Sequence, residues 1–382
     1  MLPSQRQLFD VPREVCYFNA AGWSPLPLAT VEAARKAVAR KAQPWLIDAE
    51  FQSAQYERTR RAAARLINAN PADVALISSV AYGVATAAKV LRVRGGSRVL
   101  VLEDDHSSPV LEWMTRAEAE GFAVETVRRP GNGDWTEAVL EAVSRTGAAP
   151  IAVASLSSIH WSDGGKIDLG RVAPALKAHG AALLVDATHG AGVMEFDVGA
   201  LDPDFVVFPT YKWLLGPYGR AFLYVAKRHQ GGIPLEQTSH GRHSVRAEQD
   251  VYFKDTAHLG DARRFDMGER DHFISMEMAA MGMELVAGWG TDTVQERLAM
   301  LTGRLADGLH PTGVTLPRAR LRAPHILCAG FPKGMPEGLL QRLAAERVFA
   351  AQRLGRIRIS PHVYNDEADV DRFVAVFSRL IA

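Results

Sequence analysis

The sequence predicts an α/β protein: a mostly parallel sheet covered by helices on both faces, followed by a smaller α+β lobe. Two observations carry this. Short apolar runs rich in β-branched residues recur between residues 75 and 225 and alternate with segments of helical spacing. Strands buried on both faces read in this way, as near-continuous apolar runs rather than strict alternation. After Gly288-Trp289-Gly290 the alternation stops. A helical segment around 293–309, apolar stretches near 325–331 and 356–359, and a last helix from Glu367 then suggest a second lobe.

Residues 28–41 and 48–67 carry helical spacing with many Ala, Arg and Glu. Asn70-Pro71 ends the second, because the residue before proline is pushed out of the α region. Ala75–Ser78 reads as strand and Tyr82–Val93 as helix, Arg98–Leu102 as strand and Val110–Glu120 as helix, Ile151–Ser155 as strand and Leu169–His179 as helix. Strands at Ala181–Asp186, Phe205–Phe208 and Ala221–Val225 complete the set. Residues 231–264 are polar, irregular and rich in His and Arg, and read as a long loop near an active site or a subunit contact. The organisation expected is an N-terminal arm (1–20), a large domain (21–288) and a small C-terminal domain (289–382).

Composition removes several classes of function. With 382 residues, 47% of them hydrophobic, the chain can bury a large core. Its 44 basic and 43 acidic side chains nearly cancel, so no nucleic-acid footprint is expected. Arg58-Thr59-Arg60-Arg61 lies within a helical pattern and reads as a solvated face. Two cysteines, Cys16 and Cys328, give neither a disulfide framework nor a Cys-based metal site. No apolar run is long enough to span a membrane, and a cytoplasmic setting is expected.

The chemistry is concentrated at strand ends, where open α/β sheets bind ligands. Ser78, His106, Ser155, Asp186 and Lys212 all fall there. Asp186 closes Ala181-Ala182-Leu183-Leu184-Val185, and Lys212 follows Phe205-Val206-Val207-Phe208 within Pro209-Thr210-Tyr211-Lys212-Trp213. Charges at the ends of buried strands are costly to desolvate. A structural ion pair is one reason to keep them. Pyridoxal phosphate is another: its aldehyde forms a Schiff base with a lysine amine, and its protonated ring nitrogen needs an anion. The turn Ser78-Ser79-Val80-Ala81-Tyr82-Gly83 leads a strand into a helix, whose free N–H groups and positive dipole end suit a phosphate. His189 could hydrogen-bond the cofactor's phenolic oxygen or a substrate group, or serve as a buried structural histidine.

Val185-Asp186-Ala187-Thr188-His189-Gly190-Ala191-Gly192 and Tyr211-Lys212-Trp213 resemble the fold-type I pyridoxal-phosphate enzymes of the class V aminotransferase group. That group includes cysteine desulfurases, kynureninases, isopenicillin N epimerase-like proteins and carbon–sulfur lyases. The resemblance runs from Tyr17-Phe18-Asn19-Ala20-Ala21-Gly22 to Arg358-Ile359-Ser360-Pro361-His362-Val363-Tyr364-Asn365. The Asp186-x-x-His189 spacing and the Tyr211-Lys212 pair look most like kynureninase. The resemblance implies the aspartate aminotransferase fold, with a seven-stranded sheet in the large domain and a homodimer sharing its active sites. It also implies that Lys212 bears the cofactor, Asp186 faces the ring nitrogen and His106 stacks on the ring. Backbone amides of Ala81 and Tyr82 would hold the phosphate, aided by Tyr211, and Arg358 would grip a substrate α-carboxylate. Phe265-Asp266-Met267-Gly268-Glu269-Arg270 resembles a segment that reaches the neighbouring subunit's phosphate. Glu269 stands there in place of the usual Thr or Asn, which leaves Arg270 for that role.

Desulfurase-like relatives carry a sulfur-accepting cysteine on a mobile loop before the carboxylate-binding arginine. Here Arg347–Gly355 is short and has no Cys, and Cys328 reads as part of a buried strand. A persulfide-forming desulfurase is therefore not expected. The expectation is an aminotransferase acting on an amino acid or a close derivative through Lys212. A carbon–sulfur lyase or epimerase is the alternative, and a non-catalytic cofactor-binding protein is a third reading.

Overall fold

The computed structural model describes residues 2–382. A short strand β1 (Cys16–Tyr17) precedes helices α1 (Leu28–Lys41) and α2 (Ala49–Arg65). The large domain then runs β2 (Val74–Ile77), α3 (Val80–Val90), β3 (Arg98–Leu102), α4 (Ser107–Glu120), β4 (Ala123–Val127) and α5 (Trp135–Val143). It continues through β5 (Ile151–Ser157), α6 (Leu169–Ala178), β6 (Ala182–Asp186), α7 (Val198–Leu201), β7 (Phe205–Pro209) and β8 (Ala221–Val225). A hairpin of β9 (Arg242–Ser244) and β10 (Asp255–His258) leads to α8 (Phe273–Trp289). The C-terminal lobe comprises α9 (Thr291–Leu309), β11 (Leu327–Ala329), α10 (Leu339–Ala345), β12 (Val348–Phe349), β13 (Ala351–Arg353), β14 (Arg356–Ile359) and α11 (Glu367–Ile381).

Seven strands form the central sheet in the order β2-β8-β7-β6-β5-β3-β4, and only β8 runs antiparallel to its neighbours. Alternate residues feed two cores. Leu100 and Leu102 of β3 face one cluster with Trp135, Leu176 and the C-terminal lobe. Val99 and Val101 face the other, with Val84, Ala87 and Trp113. The mostly parallel sheet buried on both faces is thus as the apolar runs predicted. Helices α5 and α8 and strand β4 were not among the expected elements. β4 is an edge strand with only Val127 fully buried, so it lacks the apolar run that marks its neighbours. Residues 231–264 contain the small β9–β10 hairpin rather than loop alone. The arm belongs with the C-terminal lobe: β1 pairs in parallel with β12, and Asn19 bridges to Ser360. No described helix is long and apolar enough to cross a membrane.

One buried ion pair ties these layers to the start of α3. Arg60 of α2 and Asp266 are both fully buried and pair through both guanidinium Nη atoms. Residues 58–61 are therefore not the solvated face expected of them, because Thr59 and Arg60 point inward. Arg60 also donates to the Val74 carbonyl at 2.6 Å, and Asp266 accepts from Leu76 N at 2.9 Å. The ends of β2 are thereby fixed just before the Ser78–Ser79 turn. Gly83 then lets α3 lie against the sheet, since a Cβ there would come within 2.7 Å of Val207 Cγ2 and 2.9 Å of Ile77 Cδ1. Removing one partner of a buried pair strands the other charge. Asp266→Ala should therefore cost about 3–5 kcal/mol of stability, read as a lower urea midpoint, and an unchanged midpoint would show that the pair is not stabilising.

Candidate active site

A cavity of about 270 Å³ opens at the carboxyl ends of the parallel strands, lined by Ser79, Ala81, His106, Asp186, His189 and Lys212 among others. A larger space of about 480 Å³ adjoins it, bounded by Trp161, Arg353 and Arg358 and sharing His106, Tyr211 and Lys212. Most of the residues expected from sequence therefore meet in one place.

Lys212 is buried just past the end of β7. Burial, then the nearby Arg358, pull its amine down to about 7, against the opposing pull of Asp186. Its Nζ lies 3.2 Å from His189 Nε2, while Trp213 Nε1 donates to His189 Nδ1 at 3.0 Å. The indole is only a donor, so Nδ1 must be the acceptor and the imidazole proton sits on Nε2. Burial holds His189 well below its usual range, so the ring is neutral. Its Nε2–H can donate to Lys212 only when the amine keeps its lone pair. Trp213 therefore acts through His189 to favour the neutral amine, in addition to burial.

Asp186 is buried at the end of β6, and Thr188 N donates to it at 2.8 Å. Burial pushes its carboxyl up, with Thr188 and Lys212 opposing. This is a carboxylate that a cation placed against it would stabilise. His106 is the N-cap residue of α4, exposed to the cavity, and its ring meets Trp161 edge-on at 5.9 Å. Asp105, just before it, accepts from Ser157 Oγ at 2.9 Å and from His106 N at 2.8 Å. Tyr211 stacks on Tyr218 with ring centroids 3.7 Å apart, and Tyr218 in turn packs against Trp23. Arg358 is buried in β14, donates from Nη1 to the Trp161 carbonyl at 2.7 Å, and has an Nε without a partner among the described residues.

The start of α3 departs from expectation in one respect. The Tyr82 amide is taken by the Ser79 hydroxyl at 3.1 Å, because Ser79 caps α3. The amides left at this helix start are those of Val80 and Ala81. Arg270 pairs with Asp266, which Arg60 also engages, and lies over the Tyr56 ring. Arg220, just before β8, was not expected in the site. It lines the cavity, is buried, donates to Ser275 Oγ at 3.1 Å, and has an Nη1 without a partner among the described residues. Burial lowers it to about 10, a cation in want of an anion.

The chain belongs to the aminotransferase class-V family, whose model matches residues 16–373. A probable cysteine desulfurase of Pyrococcus abyssi is 24% identical, with 97% of this chain and 96% of that protein aligned. Isopenicillin N epimerase of Streptomyces clavuligerus is 24% identical over 85% of this chain and 84% of its own. Among solved structures, the cystine C–S lyase C-DES superposes with a TM-score of 0.84 at 18% identity, covering 96% of this chain and 98% of that one.

The cofactor is pyridoxal phosphate, and the residues present fit it. A helix start with two free amides, with Arg220 lining the same cavity, suits the phosphate. Buried Asp186 suits a protonated ring nitrogen, the exposed face of His106 suits the ring, and the Lys212 amine suits the aldehyde.

The pH dependence of Lys212 is testable in apoprotein. Attack on an aldehyde needs the neutral amine, and the neutral fraction rises through about pH 7. The rate of reconstitution with pyridoxal phosphate should climb through that pH and level off above it. Trp213→Phe frees His189 to take the other tautomer and accept from an ammonium, so the midpoint should move upward. An unshifted midpoint in that variant would refute the indole's role.

Proposed function

We propose that the protein is a pyridoxal-phosphate-dependent carbon–sulfur lyase, a β-eliminating enzyme acting on a cysteine-derived amino acid through Lys212. The observation that carries this is the state of its thiols. Cys328 is buried in β11, where burial pushes its thiol up to about 12, and it donates to the Ser162 carbonyl at 3.3 Å. Cys16 is buried and pushed up to about 11, again by burial first. Neither is the accessible, low-pKa thiol that sulfur capture requires. Relatives named for C–S chemistry support a sulfur-bearing substrate, and without an accepting thiol the sulfur leaves on a small molecule.

Pyridoxal phosphate, held by Lys212 and Asp186, would supply an electron sink for the bonds at Cα of an amino-acid substrate. The protein's own groups direct the chemistry from that point. Arg358 offers a planar fork to the α-carboxylate, and that contact orients Cα. Lys212, whose amine loses its proton through about pH 7, takes the proton from Cα. The C–S bond at Cβ then breaks, and Lys212 returns the proton to the departing sulfur. Water hydrolyses the remaining enamine to a 2-oxo acid and ammonium. Asp186 supplies the buried negative charge that keeps the ring nitrogen protonated. The exposed Val251, Tyr252 and Phe253 provide apolar surface for a second subunit, in keeping with a homodimer.

Product analysis separates the readings. With cysteine S-conjugates and no added acceptor, the expected products are pyruvate, ammonium and a free thiol in equal amounts. Keto acid that forms only with an added 2-oxo acid would identify an aminotransferase instead, and inversion at Cα without either product would identify an epimerase.

A further inference from the structure

The larger half of the cavity holds a second guanidinium that the reaction above does not use. Arg353 ends β13, and the antiparallel β13–β14 register sets Ala351 opposite Arg358. Leu354 and Gly355, with φ of 46° and 75°, close the hairpin as a two-residue turn. Positive φ at both positions is the tight hairpin geometry whose twist matches its strands. Arg353 is thus presented on a short, well-defined turn. Both arginines converge on Trp161: Arg353 Cζ lies 5.8 Å from its ring, and Arg358 Nη1 donates to its carbonyl at 2.7 Å. Trp161 is itself fixed, its indole donating to the Asp104 carbonyl at 2.7 Å.

Neither Arg353 nor Arg358 makes a salt bridge among the described residues, whereas the deeply buried Arg60, Arg6 and Arg297 do. The hydrogen bond from Arg353 is to the neighbouring Gln352 carbonyl, and Arg358 keeps an unpartnered Nε. The buried Arg358 and the half-buried Arg353 repel each other, and an anion from outside would relieve this. Arg358 lies beside Lys212 and suits the α-carboxylate. Arg353, at the mouth next to Trp161, lies where the substrate's side chain would leave.

We propose that the substrate carries a second carboxylate at the end of its side chain, and that Arg353 binds it. This deepens the lyase reading and rests on it only for the identity of the bond broken. Trp161 would form the wall along which the side chain lies, with the two guanidiniums at its two ends.

A matched pair of cysteine conjugates tests this. S-carboxymethylcysteine and S-carbamoylmethylcysteine have the same shape and differ in one charge. Dissociation constants for the holoenzyme come from the change in cofactor absorbance, and release of pyruvate is measured separately. The carboxylate should bind at least about tenfold tighter than the amide. Arg353→Gln should bring that preference close to one. Arg353→Lys keeps the charge without the fork, should retain part of the preference, and serves where the glutamine variant does not fold. Equal binding of both compounds by the wild type overturns the proposal, as does an equal loss for both in the variant. A charge preference without pyruvate from either compound would leave Arg353 assigned and remove the lyase reading.

Discussion

Lys212 Nζ lies 3.2 Å from His189 Nε2 at the carboxyl end of the sheet, and the surrounding structure works to keep that amine neutral. Burial and the nearby Arg358 lower it, and a set of hydrogen bonds adds to their effect. Trp213 orients His189 from one side. His325 bonds the His189 carbonyl at 2.7 Å, and His362 bonds the Trp213 carbonyl at 3.0 Å. Burial lowers both of these histidines, to about 3 and about 4, so neither gains charge near neutral pH. Both belong to the C-terminal lobe. The small lobe therefore fixes the backbone on either side of the reactive amine, and domain packing and catalytic geometry become one requirement.

Charge is distributed around this centre with a plain asymmetry. Several arginines elsewhere are paired: Arg60 with Asp266, Arg129 with Asp163, Arg228 with Asp202 and Asp204. Around the cavity, Arg220, Arg353 and Arg358 have no carboxylate partner among the described residues. Asp186 is the acid that acts on the amine, and burial raises it as well. Such an arrangement stores unfavourable electrostatic energy that anionic groups of a cofactor and substrate can relieve on binding. Affinity would then come from completing ion pairs the fold leaves half-built, in a setting where screening by water is weak.

Much of this was legible in the sequence, for identifiable reasons. Asp186 and Lys212 stand at the ends of apolar runs, so their burial could be read directly. Ser79 could be seen as a helix start, but its hydroxyl's choice of the Tyr82 amide could not, since that depends on cap geometry. Arg220 sits between Gly219 and the apolar run of β8, and on its own it looks like an ordinary turn charge. Its burial depends on α8, whose even hydrophobicity gives no strong one-sided pattern and which was not anticipated. Trp161 and Arg353 lie far apart in the chain and meet only because the C-terminal lobe folds back onto the sheet. Long-range packing of that kind leaves no local signal.

The segment before Arg358 bears on sulfur capture in a mechanical as well as a chemical way. A sulfur-accepting cysteine must swing between the cofactor and a second protein or small acceptor, which calls for a long and mobile loop. The two-residue turn Leu354-Gly355 allows no such travel, because both residues occupy the left-handed region and the flanking strands are paired up to it. What a rigid turn can do is hold a side chain at a fixed place, and the side chain it holds is Arg353. In the proposed reaction such a site would hold a substrate charge at a fixed place and let the sulfur depart freely.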